Sequence, residues 1–302
     1  MIKKKISIIC PFYNELDAIP LFFNRLIEVV SSIKDIHFEI IFVNNSSTDG
    51  SLEKLKELIL KKQNNEQITF KIISFSRNFG YQKSLLAGYS HSTGDASIVI
   101  DTDLEDPPEL ILEFIAQWNK GYEVIYGKRV DRQENWLIKK MRDNFYRILS
   151  LTADFKINDQ MAEFCLISRR VRENILKINP TFTFFRSEIA FLGLKTFGID
   201  YKREKRVAGQ TKYNILTMFE FAITGFLTSS TFFLRLFGYS LPFIVGLNLL
   251  IIVFFKITNF LIILDAIYII FNLSILSLYV ARLYQISTKR PPYIIDYENS
   301  IL

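Results

Sequence analysis

The segment IVIDTDLEDPPEL, residues 98–110, decides how this chain is read: the apolar run Ile98, Val99, Ile100 ends abruptly in five carboxylates, Asp101, Asp103, Glu105, Asp106 and Glu109. The run reads as a buried strand, and the charges fall where that strand would emerge. Carboxylates this close repel one another and stay ionised cheaply only when a cation or water sits among them. The setting sharpens the point, because the chain as a whole is basic, with a formal net charge of +6. In D-x-D, alternate residues let one carboxylate face a metal while the backbone turns, and Mg²⁺ or Mn²⁺ held this way keeps positions open for phosphate oxygens. Taken alone, the same segment is a solvated acidic turn that opens a helix, with Pro107 and Pro108 in the first turn and Glu109 favoured by the helix dipole.

On either side, short β-rich runs alternate with helical stretches. ISIIC precedes a helix over 17–33, FEIIFV one over 49–62, FKIISF one over 80–90 and ASIVID one over 107–120, and EVIYG follows. Such alternation predicts a mainly parallel α/β sheet. Ligands of these sheets sit beyond the carboxyl ends of the strands, where PFYNE, NNSSTDG, SRNFG and DTDLED all fall. No G-x-G-x-x-G or G-x-x-x-x-G-K-[ST] follows any of these runs, which excludes the ordinary dinucleotide and phosphate loops.

Hydrophobic residues make up 49% of the chain, but they are concentrated: from 236 to 281 the only formally charged residues are Lys256 and Asp265. Residues 236–255, as a helix, would span roughly 30 Å, the thickness of a hydrocarbon core, and 261–281 repeat the pattern. The short link KITNF makes the pair a transmembrane hairpin. Arg235 precedes it and Arg282, Lys289 and Arg290 follow, so the positive-inside rule places both termini and the large N-terminal region in the cytoplasm, on an inner (plasma) membrane crossed more than once. The N-terminal MIKKKISIICPFYNE lacks a long apolar stretch and reads as a first strand rather than a signal peptide. Cys10 and Cys165 read as buried thiols. Residues 134–151 are amphipathic, with Leu137, Met141, Phe145 and Ile148 near one face and Lys139, Lys140, Arg142 and Arg147 as basic flanks, which suits a helix packed on its domain or lying at a membrane interface. Residues 213–235 are similar and greasier.

In this order and spacing, ISIICPFYNE (6–15), FVNNSSTDGS (42–51), SFSRNFGYQKSLLAGYSHSTGD (74–95), DTDLEDPPEL (101–110), YGKR (126–129) and REKRVAGQTKY (203–213), followed by two spans, resemble glycosyltransferase family 2. Within it the chain is similar to the polyprenyl-phosphate glycosyltransferases, which include dolichol-phosphate mannose synthases and bacterial bactoprenol-phosphate glucosyltransferases. The resemblance implies a GT-A fold over residues 1–212, a juxtamembrane helix over 213–235, the hairpin over 236–281 and a cytoplasmic tail over 282–302. It also implies a nucleotide-sugar donor, a divalent metal and a polyprenyl phosphate acceptor in the membrane. By that match Asp101 and Asp103 hold the metal and diphosphate, with Glu105 as a third ligand and Asp103 in a catalytic role. Pro11, Tyr13, Asn14 and Glu15 line the nucleotide, with Asn44, Asn45 and Arg77 nearby. Arg129 meets the acceptor phosphate, and Arg203, Arg206 and Lys212 belong to a basic loop that closes on phosphates.

Two departures stand out. Relatives carry V-D-D-G-S where this chain has Val43, Asn44, Asn45, Ser46 and Ser47, and an amide donates as well as accepts and bears no charge. Glu163 stands where relatives have Asp, either as a base-like or acceptor-orienting group or as the partner of a neighbouring Arg. The expected reaction is inverting transfer from UDP-glucose to undecaprenyl phosphate, for a lipid-linked sugar of the cell envelope, with GDP-mannose and UDP-GlcNAc as alternative donors. A catalytically silent, membrane-anchored nucleotide-sugar scaffold is the rival from another class; the two Asn residues favour it and the intact D-x-D opposes it. A processive polysaccharide synthase would show Q-x-x-R-W and more spans. Basic residues beside apolar helices fit an anionic lipid surface, so nucleic acid is not an expected partner, while a homo-oligomer is compatible with the reading.

Overall fold

Alternate residues of the first strand, β1 (Lys4–Phe12), face two different layers: Ile6, Ile8, Cys10 and Phe12 join one apolar cluster and Ile9 joins another. That two-sided burial is what a strand in the middle of a covered parallel sheet requires. The computed structural model describes residues 4–62, 66–130, 136–157, 161–178, 184–205, 215–255 and 258–302. Its sheet has the order β3-β2-β1-β4-β6-β5-β7, with β2 at Ile36–Asn44, β3 at Ile68–Ser74, β4 at Ala96–Val99, β5 at Val124–Val130, β6 at Met161–Ser168 and β7 at Thr196–Lys202. Helices α1 (Ala18–Ser32), α2 (Ser51–Leu60) and α4 (Leu110–Asn119) cover one face; α3 (Tyr81–His91), α6 (Arg169–Leu176) and α7 (Phe185–Phe191) cover the other. Gly88 permits the closest of these contacts, since a Cβ there would come 2.2 Å from Ile9 Cγ2.

The α/β alternation read from the sequence is present, with two differences. The helix expected over 107–120 begins at Leu110, because Pro107 and Pro108 belong to the preceding turn, their carbonyls accepting from Leu110 N at 3.2 Å and Ile111 N at 3.0 Å. The second difference is β6, which pairs antiparallel with both β4 and β5. It does so because the chain after β5 stays at the carboxyl edge to form α5 (Trp136–Thr152), so β6 enters the sheet from that edge. Arg129 lies inside β5, opposite Tyr201 of β7, rather than after the strand.

Helix α5 buries Leu149 and sets Phe145 against Phe226 of α8 (Ile215–Ser229), 5.2 Å between ring centroids, while Trp136, Met141, Ile148 and Leu151 are exposed. Asp154, just beyond α5, accepts from Thr231 N at 2.9 Å and pairs with Arg235, pinning the start of α9 (Phe232–Phe255). Helices α9 and α10 (Thr258–Ser287) are both long and apolar enough to cross a membrane, about 36 and 45 Å at 1.5 Å per residue. They meet along a polar seam: Asn248 Nδ2 donates to both Asp265 oxygens at 2.8 and 2.9 Å, and the Ser240 and Tyr268 hydroxyls lie 2.8 Å apart. Helix α10 continues six residues past the expected end at 281, so Arg282 lies within it and donates to Thr228 of α8 at 2.9 Å.

The residues after α10 return to the sheet. Ile301 and Ile72 exchange backbone hydrogen bonds at 2.7 Å each, and Asp296 N donates to Ser74 O at 2.8 Å, so the tail lies antiparallel along β3 and covers that edge. Nothing in the tail sequence announced this pairing.

Candidate active site

Four loops leave the carboxyl edge side by side, at 13–17 after β1, 45–50 after β2, 75–80 after β3 and 100–109 after β4. Three of them turn through non-glycine residues with positive φ: Asn14 (53°), Ser46 (63°) and Leu104 (61°). For Leu104 that conformation costs roughly 1–2 kcal/mol, and the residue is held there with only 3% of its surface exposed. The turn brings Glu105 N to 3.1 Å from Asp103 Oδ1.

Asp101 is half-buried and accepts from the Tyr81 hydroxyl at 2.8 Å. Burial first, and then the charges of Asp103 and Asp106, push its carboxyl up to about 7 against the pull of that hydroxyl. Crowded acid groups of this kind are what a divalent cation relieves. Glu105 forms an ion pair with Arg203, and among the described residues no group of three or more His, Cys, Asp or Glu is assembled. The residues therefore fit a cation held by two carboxylates, Asp101 and Asp103, with its remaining positions open, the arrangement Mg²⁺ adopts with phosphate substrates.

Asp106 organises the cationic side. With 1% of its surface exposed, it accepts from the Tyr201 hydroxyl at 2.5 Å and from Arg129 at 3.2 Å, and lies 3.4 Å from Arg203 Nε. Arg129 Nε also donates to the Tyr201 hydroxyl at 3.0 Å. The start of the basic loop is tied down as well: Arg25 of α1 bonds Glu109 and Glu204 at 2.8 Å each, and Glu204 N donates to Glu105 O at 2.8 Å. Arg206 and Lys212 lie outside the described residues.

A third group joins one strand and two helices. Glu163 of β6 accepts from Arg186 of α7 at 3.0 Å, and Arg186 donates to the Tyr146 hydroxyl of α5 at 2.8 Å. Of the two roles open to Glu163, the geometry matches the partner of an arginine. Cys10 and Cys165 are buried free thiols, as read.

On the β1–β3 side the amides are spent on the loops themselves. Asn44 accepts from Ser47 N and donates to Ser74 Oγ, both at 2.9 Å; Asn45 accepts from Phe79 N at 2.9 Å and donates to Asn78 Oδ1 at 3.0 Å. Asn14 N donates to Ser47 Oγ at 3.0 Å, Thr102 Oγ1 lies 3.5 Å from Pro11 O, and Glu15 O accepts from Ala18 N and Ile19 N at the start of α1. Tyr13 is half-buried, and Arg77 is exposed with its guanidinium 4.1 Å from the Phe79 ring centroid. Sequence reading thus found the loops but missed Tyr81, Asp106, Tyr146, Arg186 and Tyr201. Asp106 carried a signal, standing within the acidic segment, and Tyr81 stood within the quoted stretch 74–95; the others meet the site through the fold.

With this geometry in view, residues 7–176 match the family described as Glycosyl transferase family 2. The chain belongs to this family. Members similar to it over nearly their whole length include the uncharacterized glycosyltransferase YkcC of Bacillus subtilis (strain 168), 35% identical over 96% of this chain and 93% of that one. The prophage bactoprenol glucosyl transferase homolog of Escherichia coli (strain K12) is 34% identical over 96% and 98%, and the bactoprenol glucosyl transferase of Shigella phage SfV is 33% identical over 97% and 99%. Among solved structures, glucosyl-3-phosphoglycerate synthase from Mycobacterium tuberculosis in complex with Mn²⁺, UDP-glucose and phosphoglyceric acid is 14% identical, with a TM-score of 0.48 over 73% of this chain and 76% of that one. Family membership makes the chain a glycosyltransferase, and its α/β domain is followed by two helices of membrane-spanning length.

Proposed function

We propose that this glycosyltransferase moves a glucosyl group from UDP-glucose to a polyprenyl phosphate of the undecaprenyl type, with inversion at the anomeric carbon. The observation that carries the proposal is the adjacency of Asp101 and Asp103 to the Arg129–Tyr201–Asp106 cluster, on a chain with two long apolar helices. The names of the bactoprenol glucosyl transferases it resembles support acceptor and sugar. Asp101 and Asp103 would hold Mg²⁺ or Mn²⁺, which when bound would offset the charge of the departing nucleoside diphosphate. Pro11, Tyr13, Asn14, Glu15 and Arg77 form the nucleotide side, with Asn44 and Asn45 bracing it from beneath. The lipid phosphate, its second pKa near ~6, is largely deprotonated at neutral pH, and one of its oxygens attacks the anomeric carbon as the bond to the diphosphate oxygen breaks. No strong general base is needed, and Glu163 serves by orienting Arg186 toward the acceptor. The deciding experiment incubates purified protein and Mg²⁺ with polyprenyl phosphate and a panel containing UDP-glucose, UDP-GlcNAc and GDP-mannose, and identifies the lipid product by mass. Each donor is supplied separately, because glucosyl and mannosyl products share one mass; a hexosyl product from GDP-mannose but not from UDP-glucose, or an N-acetylhexosaminyl product, sinks the glucosyl assignment, and no lipid product with any donor sinks the reaction.

Arg129 is assigned to the acceptor phosphate, together with Arg203 and, on the basic loop, Arg206 and Lys212. Loss of a charge-assisted bond of ~1.5–3 kcal/mol predicts that Arg129→Ala raises the KM for lipid phosphate about tenfold to a hundredfold while donor KM stays within about twofold. Arg129→Lys keeps the charge without the fork and should fall between. A rise confined to donor KM refutes the assignment.

The catalytic domain is placed on the cytoplasmic face, with α9 and α10 as the two spans. The return of the tail to β3 supports the two crossings, since it ties the end of α10 to the same domain that precedes α9; the basic residues Arg235, Arg282, Lys289 and Arg290 support the cytoplasmic side. A cysteine placed at Thr258, the first residue of α10, should react with an impermeant thiol reagent only from the side opposite the domain; labelling from the domain's side overturns the topology.

A further inference from the structure

The tail that follows α10 does more than cover an edge. Ser74 N donates to Ser300 Oγ at 2.9 Å, Ser74 Oγ accepts from Asn44 at 2.9 Å, Asn44 Oδ1 accepts from Ser47 N at 2.9 Å, and Ser47 Oγ accepts from Asn14 N at 3.0 Å. A continuous line of hydrogen bonds thus runs from the last residues of the chain to the loop after β1. A second line runs through rings. Tyr293 stacks on Phe75 with centroids 5.1 Å apart and planes 21° from parallel, Phe75 meets Phe79 edge-on at 5.7 Å, and Phe79 carries the Arg77 guanidinium. Ser76 N donates to Ile294 O at 3.1 Å, fixing the loop between them.

The two amides that depart from the family pattern are the junctions of this framework. Asn45 must donate to Asn78 Oδ1, because that oxygen already accepts from Gly80 N at 2.9 Å; a carboxylate at 45 would set acceptor against acceptor. Asn44 and Asn45 are 2% and 5% exposed, so their polar atoms are occupied within the protein.

We propose that the C-terminal strap, residues 293–301, is a positioning element of the nucleotide side, acting through Ser74–Phe75 and the Asn44–Asn45 pair on the loops that bear Asn14 and Arg77. Tyr293 and Ser300 are its positioning residues. Only residues 288–292 separate the strap from α10, so the seating of the apolar helices and the shape of the nucleotide side are joined through one short covalent segment. This inference rests on the donor assignment made above. A truncation after residue 235 would remove the strap along with the helices and so would disturb the nucleotide side as well as membrane attachment.

The test uses full-length protein in detergent or lipid and compares wild type with Tyr293→Ala, Tyr293→Phe and Asn45→Asp. Amide hydrogen exchange reads the framework itself: Tyr293→Ala should speed exchange at 44–48 and 75–80 at least about tenfold, with α1 and α4 unchanged. Kinetics read the donor: KM for UDP-glucose should rise about tenfold in Tyr293→Ala and Asn45→Asp, with kcat and lipid KM within about twofold, and Tyr293→Phe should restore wild-type values because the stacking ring is kept. Unchanged exchange at 44–48 in a folded Tyr293→Ala protein overturns the strap, as does an unchanged donor KM or an equal loss for donor and lipid. Wild-type protein that binds no nucleotide sugar sinks the donor assignment instead, and exchange alone then decides whether the strap holds the loops.

Discussion

Asp103→Asn is expected to lose turnover by about a hundredfold or more with its fold intact, and excess chelator should silence the wild-type protein to a similar degree. A cation shared between two carboxylates and a diphosphate supplies several kcal/mol of charge stabilisation as the leaving group departs, and each ~1.4 kcal/mol is a factor of ten in rate. An amide at 103 can still accept from Glu105 N, so the loop survives while the charge does not. Asp101→Asn should separate activity from stability more sharply. Its carboxyl sits in the repulsive company of Asp103 and Asp106, and an amide still accepts from Tyr81 without that repulsion. Metal-free Asp101→Asn protein should therefore melt roughly 2–5 °C above wild type while losing activity, the usual conflict between a charged site and a stable fold. Full turnover in Asp103→Asn, or in excess chelator, would falsify the cation assignment.

The largest loss of stability is expected from Asp106→Ala. Its carboxylate is buried and receives Tyr201 and Arg129, with Arg203 alongside. Removing one partner of a buried pair leaves the other charge uncompensated, at a cost of ~3–5 kcal/mol. Asp106→Asn keeps an acceptor for the Tyr201 hydroxyl and should lose about half as much. Thermal unfolding in detergent measures both; an Asp106→Ala protein as stable as wild type would mean that the cluster is hydrated and Arg129 needs no counter-charge.

The sequence carried the features that depend on near neighbours. Strand β4 and its acidic exit, the alternation of strands with α1 to α4 and the two apolar helices follow from patterns within a few residues; α1 to α4 lie within about three residues of their expected bounds, whereas α9 starts four residues early and α10 ends six residues late. The strand–helix alternation located the four loops in the same way, at the carboxyl ends of their strands. What escaped depends on distant pairing. Asp106 gains its role from Tyr201, 95 residues away, and Glu163 from Arg186 across a helix–strand contact. The antiparallel β6 was hidden because its run of apolar residues is the same read in either direction. The strap pairs with residues more than 200 positions earlier, through backbone groups that no side chain advertises.

The seam between α9 and α10 bears on how the chain enters a bilayer. A carboxylate within a spanning helix costs up to ~2.5–3.5 kcal/mol on its own. Asp265 has both oxygens taken up by Asn248, a residue that leaves the ribosome first. In the membrane arrangement proposed here, α9 is therefore a template waiting for α10, and the two cross into hydrocarbon at lower cost as a zipped pair than one after the other. The second helix, expressed without the first, would meet the insertion machinery with its acid bare.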